Sequence, residues 1–150
     1  MESFWGSNLK KKNIDTPKKI LQEQAKYLEK ETEGCVFSEV INKASGLKRG
    51  DFELAYVLKA KYFEDYSYKL FSLSHDATIY PVIIILDTLI FDETKCGLSK
   101  IDGVECEEHT KEVIVDTEEA FIETLKIILS SNEVGDLVSG IMTISDDYFD

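Results

Sequence analysis

The chain predicts an α+β domain: an N-terminal helix, an antiparallel sheet of four to six strands, and two C-terminal helices packed on one face. Three observations predict it. The period of the hydrophobic pattern switches from that of a helix to that of a strand near residue 35 and switches back near residue 116. The strand-like segments follow one another without the crossover helices that a parallel sheet requires. A chain of 150 residues, 43% hydrophobic and 31% charged, suits one domain with one core and buries about 70% of its unfolded surface. The expected organisation is a flexible basic arm over 1–15, a single domain over 16–145 and a frayed acidic tail over 146–150.

The first helix has the clearest start signal. Thr16 precedes Pro17, a cap residue followed by a proline at the first helical position, where its missing N–H costs nothing. Ile20, Leu21, Gln24, Ala25 and Leu28 then recur on one face, and Gly34 stands where a helix ends in a left-handed residue. The expected span is Pro17 to Glu33. Lys18 and Lys19 in the first turn oppose the helix dipole.

Val36 to Asn42 alternates as a strand and is expected to end at Ser45-Gly46, with a turn at Gly50-Asp51. Phe52 to Phe63 is β-branched and aromatic enough for a second strand, and Glu64-Asp65 reads as a turn. Tyr66 to His75 alternates again. Thr78 to Leu86 is apolar on both faces, as a central strand is. Pro81 cannot donate to a ladder, so it is expected at the strand's first residue or at a bulge. Asp87 to Lys111 is irregular and acidic, and reads as a long loop holding one short hairpin, with a turn at Asp102-Gly103. Glu112 to Val115 is the last expected strand.

Asp116-Thr117-Glu118-Glu119 has the form of a capping box, Asp116 being the cap and Glu119 lying three residues on. Phe121, Ile122, Leu125, Ile128 and Leu129 make the stripe of a helix over Thr117 to Ser130. Val134, Leu137, Val138, Ile141 and Met142 make the stripe of a second, short helix. Gly135 and Gly140 weaken it by about 1 kcal/mol each. Leu21, Leu28, Phe121, Leu125 and Ile128 are the expected core.

Charge narrows the function. Residues 1–30 carry seven lysines against four acids, whereas residues 31–150 carry ten basic side chains against twenty-five acids. An acidic body led by a basic segment repels nucleic acid and anionic membrane and attracts a basic protein. The net charge of −12 exceeds the magnitude of about 2–8 that keeps a small domain soluble. The longest apolar run, Pro81 to Leu86, is far below the roughly 20 residues of a membrane span. The first residues lack signal-peptide features, and the three cysteines are odd in number, as in a reducing compartment. A cytoplasmic location is expected.

The residues show no phosphate loop, dinucleotide fingerprint or nucleophile elbow. His75-Asp76 has the composition of a metal-hydrolase pair, but it falls at a strand end where aspartate forms turns. Cys96, Cys106 and His109 are spaced too widely for a structural zinc site and lack a fourth ligand. Cys106 with His109 is a poor nucleophile pair, because Glu105, Glu107 and Glu108 raise a thiol pKa. No catalytic residue, metal or cofactor is therefore assigned. The aromatic cluster of Tyr56, Tyr62, Phe63, Tyr66, Tyr68, Phe71 and Tyr80 is sheet core or, in a sharper reading, an exposed tyrosine-rich hot-spot surface. The acidic run from Asp92 to Glu119 is a solvated face or a recognition loop for a cationic protein. Asp92, Glu93, Asp102, Glu105, Glu107 and Glu108, with Tyr66 and Tyr68, are the candidate partner-binding residues. The function expected from them is a non-enzymatic acidic binding module, an immunity-type inhibitor of a basic bacterial toxin. The competing expectations are an accessory protein that self-associates as a homodimer and, behind it, a small-molecule binder or a hydrolase using His75.

Thr16-Pro17-Lys18-Lys19-Ile20-Leu21-Gln22-Glu23-Gln24-Ala25 and Tyr66-Ser67-Tyr68-Lys69-Leu70-Phe71, followed by His75 and Tyr80-Pro81-Val82, resemble a group of small bacterial cytoplasmic proteins with no assigned activity. The resemblance covers Thr16 to Ile144. Its motifs are packing and turn signals, so it implies the helix–sheet–helix order and carries over no functional residue.

Overall fold

The structure is a computed structural model that describes residues 1–43 and 51–149. Helix α1 (Pro17–Glu31) precedes strands β1 (Val36–Lys43), β2 (Phe52–Ala60), β3 (Phe63–His75) and β4 (Val82–Leu86). Helix α2 (Thr88–Leu98), strands β5 (Val104–Glu107) and β6 (Glu112–Val115), and helices α3 (Glu118–Leu129) and α4 (Asn132–Phe149) follow. Among the described residues the strands form one sheet, ordered β1-β2-β3-β4-β6-β5, with every neighbouring pair antiparallel. The α+β class, the N-terminal helix and the two closing helices are those the hydrophobic periods predict.

The Thr16 hydroxyl accepts from the Lys19 N–H, with Pro17 in the first turn. The helix ends two residues before Glu33. Glu33 N–H donates to Lys30 O and Gly34 N–H to Glu29 O, and both residues take a left-handed backbone. That paired closure puts Glu33, not Gly34, at the first position beyond the cap. Lys19 is held by Asp15 at 3.0 Å, which offsets its unfavourable place beside the helix N-terminus. Thr32, buried, donates to Leu28 O or Val36 O and accepts from Val36 N–H, tying the end of α1 to the start of β1. The Tyr56 hydroxyl sits between Ser38 Oγ at 2.8 Å and Leu21 O at 3.2 Å, pinning α1 onto the sheet; burial raises its pKa.

Several boundaries differ from the sequence expectation. The expected ends of the first hairpin, Ser45-Gly46 and Gly50-Asp51, fall on or against residues outside the described ones. Strand β2 stops at Ala60, and β3 runs through Glu64-Asp65 to His75, because the hairpin turns at Lys61-Tyr62 with Ala60 paired to Phe63. Strand β4 begins at Val82, one residue after Pro81, whose lack of an N–H keeps it out of the ladder. The stretch Asp87–Lys111 is not a long loop. It holds α2, capped by the Asp87 carboxylate on the Ile90 N–H at 2.8 Å, and then the β5–β6 hairpin. Thr117, rather than Asp116, caps α3 through the Ala120 N–H. Helix α4 is eighteen residues long and reaches Phe149, so residues 146–149 continue the helix rather than fraying.

One hydrophobic cluster unites the inner face of the sheet with all four described helices: Leu54, Tyr56, Leu58, Phe71, Leu73, Val82, Ile84, Val113 and Val115 lie under Leu21, Phe91, Phe121, Leu125, Ile128 and Ile141. Of the expected core, Leu28 alone stays half-buried. Leu125, 3% exposed, is central: Leu125→Ala should cost about 2–5 kcal/mol in chemical denaturation. Gly140 is helical, and a Cβ there meets nothing within 4 Å. Gly140→Ala should therefore stabilise by about 0.5–1 kcal/mol, read as a raised denaturation midpoint.

Candidate interaction surface

Alternation along each strand sends every second side chain away from the helices. Register lines these outward residues into two rows. Ser74, Ile83, Ile114 and Glu105 form one, and Ser72, Ile85, Glu112 and Glu107 form the other. Each crosses β3, β4, β6 and β5, about 14 Å from serine to carboxylate. None of these eight residues belongs to the core cluster. Ile85 is 47% exposed. Beyond the serines, Ile41 on β1 is also exposed, and Lys59 pairs with Glu39 at 3.7 Å. The outer face thus runs from a charge-balanced end at β1–β2, over isoleucines, to an acidic end at β5–β6.

The structure distributes the sequence-predicted acids between scaffold and surface. Glu93 is a scaffold residue. Its carboxylate accepts from Asn132 N–H at 2.6 Å and Glu133 N–H at 2.9 Å, fixing α2 against the N-terminus of α4 where the helix dipole favours an anion. Ser131 Oγ accepts the next free donor, Val134 N–H. Glu108 pairs with Lys95 at 2.8 Å, which holds the Glu108 carboxyl below its usual range. Asp92 lies 3.9 Å from Lys111, whose ammonium also sits over the Phe91 ring. Asp102 is exposed in the turn before β5, where Gly103 takes the left-handed backbone that favours glycine.

Glu105 and Glu107 are different. Both are exposed on the edge strand β5, and Glu107 stands directly opposite Glu112. Like charges facing across two strands destabilise the pair, and among the described residues no cation lies within ion-pair distance of Glu105, Glu107 or Glu112. Glu112 is the residue the sequence reading missed. Its signal was available in the strand alternation, but only the pairing of β6 with β5 places it beside Glu107.

The tyrosines belong mostly to the interior. Tyr56 is buried, and Tyr66, Tyr68 and Tyr80 pack partly buried against the core. They line the helix-facing side instead of an exposed aromatic face. Tyr68 donates to Asp87 at 2.9 Å, and that hydrogen bond raises its pKa. The Tyr80 hydroxyl is buried without a hydrogen-bond partner among the described residues, and burial pushes its pKa up to about 12.

His75 stacks on Phe52 with its Nδ1 at 2.8 Å from Asp76 O. The Asp76 carboxylate accepts from the Thr78 N–H and hydroxyl, which lowers its pKa, so the pair forms a turn. An open depression of about 510 Å³ borders it, lined by Lys18, Lys43, Asp51, Phe52, Glu53 and His75. Among the described residues no group of three or more His, Cys, Asp or Glu is placed to hold a metal ion, and burial raises the Cys106 pKa. A cleft of about 640 Å³ separates α1 from α3 and α4, floored by Tyr56, Leu58 and Leu70. No helix among the described residues is long and apolar enough to cross a membrane. No protein-family model, curated protein or solved structure matches the chain.

The role of Glu93 is measurable. Glu93→Ala removes the acceptor from two N–H groups at the start of α4 and should cost about 1 kcal/mol of stability. Hydrogen exchange at Asn132 and Glu133 should accelerate while the sheet amides stay protected.

Proposed function

We propose that the chain is a non-enzymatic protein-binding module that takes a basic partner on the acidic end of its uncovered sheet face. One observation carries the reading. Glu107 faces Glu112 across the β5–β6 pair, beside Glu105, with no cation among the described residues to neutralise them, and exposed Ile85 and half-buried Ile114 adjoin. A cationic side chain set between those carboxylates relieves their repulsion, while the isoleucines supply apolar area. That combination of charged rim and apolar centre is the anatomy of a protein interface. The surplus of acids over the whole body adds long-range attraction for a basic protein.

The finer reading is an immunity-type inhibitor of a basic bacterial toxin. Carboxylates displayed in this way occupy the surface with which a nuclease meets phosphates. A self-associating accessory protein is the second reading, favoured by the exposed apolar face itself.

The test is charge removal at the surface carboxylates that no cation neutralises among the described residues; of the three, Glu107 also accepts the His109 N–H at 3.4 Å, an acceptor that glutamine keeps. Glu105→Gln, Glu107→Gln and Glu112→Gln combined should slow association with a captured basic partner by about tenfold or more at low salt. Dissociation and the far-ultraviolet circular dichroism should change little. Raising ionic strength from about 0.1 to 1 M shortens the Debye length from about 10 to 3 Å and should bring wild type and variant together. Equal association rates at low salt would remove these carboxylates from the interface.

A further inference from the structure

The first fifteen residues are chemically unlike the body they precede. They hold Phe4, Trp5 and Leu9, exposed by 86%, 79% and 70%, and then Lys10, Lys11 and Lys12. None of them enters the core cluster. The segment is rooted where it meets the domain: Lys12 Nζ donates to Thr78 O at 3.1 Å and Asp15 N–H to Glu118 Oε1 at 3.2 Å. An arm that displays a phenylalanine, a tryptophan and a leucine to water, next to three lysines, has the composition of a ligand. Its complement is the outer sheet face, where exposed Ile85 and half-buried Ile83 and Ile114 adjoin three carboxylates with no cation beside them among the described residues.

We propose that the outer face of the sheet binds the N-terminal arm of a second copy of this chain, so that two copies exchange arms as a homodimer. The proposal rests on the same face as the binding-module reading and names the ligand that the face takes when no other protein is present. Phe4, Trp5 and Leu9 lie over Ile83, Ile85 and Ile114, and Lys10 and Lys11 reach Glu105, Glu107 and Glu112. The serines Ser72 and Ser74 leave room for the rings, since small side chains make the shallow side of each row.

The order of residues along the arm selects the second copy over the chain's own arm. In its own chain the arm is rooted by its lysine end at the turn between β3 and β4, on the far side of the isoleucines from β5. Passing outward from that root, the lysines come first and the aromatic residues last, so the aromatic residues would arrive at the carboxylates. An arm from a neighbour is not rooted on this body and lies in the order that the face presents. The reach is sufficient: from Trp5 to Lys10 the chain can extend to about 17 Å, more than the two strand spacings, about 10 Å, that separate Ile85 from Glu107. Exchange about a twofold axis doubles each contact. An aromatic side chain buries about 150–250 Å², and two arms with the faces they cover come within the 1,200–2,000 Å² or so of a stable interface.

Trp5 is the chain's one tryptophan, so its fluorescence reports the arm directly. Sedimentation of the full chain should give a mass about twice that of one chain, with blue-shifted tryptophan emission. Dilution should bring the mass down to one chain and shift the emission red together. Deleting residues 1–11 should leave a monomer at every concentration, as should Ile85→Lys on the face, with the circular dichroism of the wild type. If Ile85→Lys does not fold, the deletion decides alone, since the deleted residues make no core contact. A monomer with water-exposed Trp5 emission at every concentration overturns the proposal. So does a monomer with blue-shifted emission, which places the arm on its own body, and so does a dimer that survives the deletion. Polylysine titrated into the deleted chain separates the two readings. If it binds, and the three Glu→Gln replacements abolish that binding, the face still takes a basic ligand whatever becomes of the arm.

Discussion

Among the described residues the helices of this protein cover one face of its sheet and leave the β3–β4–β6–β5 part of the other without a covering layer. Six antiparallel strands offer two faces, and α1, α2, α3 and α4 all contribute to a single cluster against one of them. The buried face therefore carries the stability: large side chains such as Phe71, Phe91 and Phe121 are closed off completely, at roughly 1.5–3 kcal/mol for each such residue. The outer face is free of that duty. It holds serines, isoleucines and glutamates, a mixture that a core excludes and a binding surface uses.

Polar groups fix how the covering layer sits. Thr32 and Tyr56 join α1 to the first two strands. Asp87 serves two elements, accepting from Ile90 N–H at the start of α2 and from the Tyr68 hydroxyl on β3. Glu93 continues the chain of attachments from α2 to the first turn of α4. Asp87 and Glu93 meet backbone donors that a helix start leaves open, which is why carboxylates are favourable at those points. Part of the acidic surplus is accounted for in this way, as architecture. The remainder, at Glu105, Glu107 and Glu112, joins no two elements by an ion pair among the described residues, and the proposed binding role rests on it.

The same division explains the contrast between the arm and the body. A basic, aromatic segment with no core contact and an acidic, apolar face with no cover are each incomplete by the ordinary economy of a folded chain. Both are resolved when one meets the other, or when a basic protein takes the arm's place. The two readings share a surface and differ in the ligand.

Much of the fold was legible from the sequence. Thr16-Pro17 marked the start of α1, alternation marked the strands, and the stripes from Phe121 and from Val134 marked the closing helices, because each of these elements buries one regular face. Helix α2 was not legible in the same way. Its buried positions are Ile90, Phe91, Thr94 and Leu98, and a threonine in the stripe with Gly97 beside it blurs the helical period. The surrounding acids made the segment look solvated, although Asp87 stood ready as a cap. Charge along the sequence determined that the body is acidic and the arm basic, and hydrophobic alternation determined that the middle is a sheet. Only the tertiary structure decided which carboxylates fasten one element to another and which face each other without a cation among the described residues. That distinction depends on partners distant in sequence: Glu93 with residues 132 and 133, and Glu107 across the hairpin from Glu112.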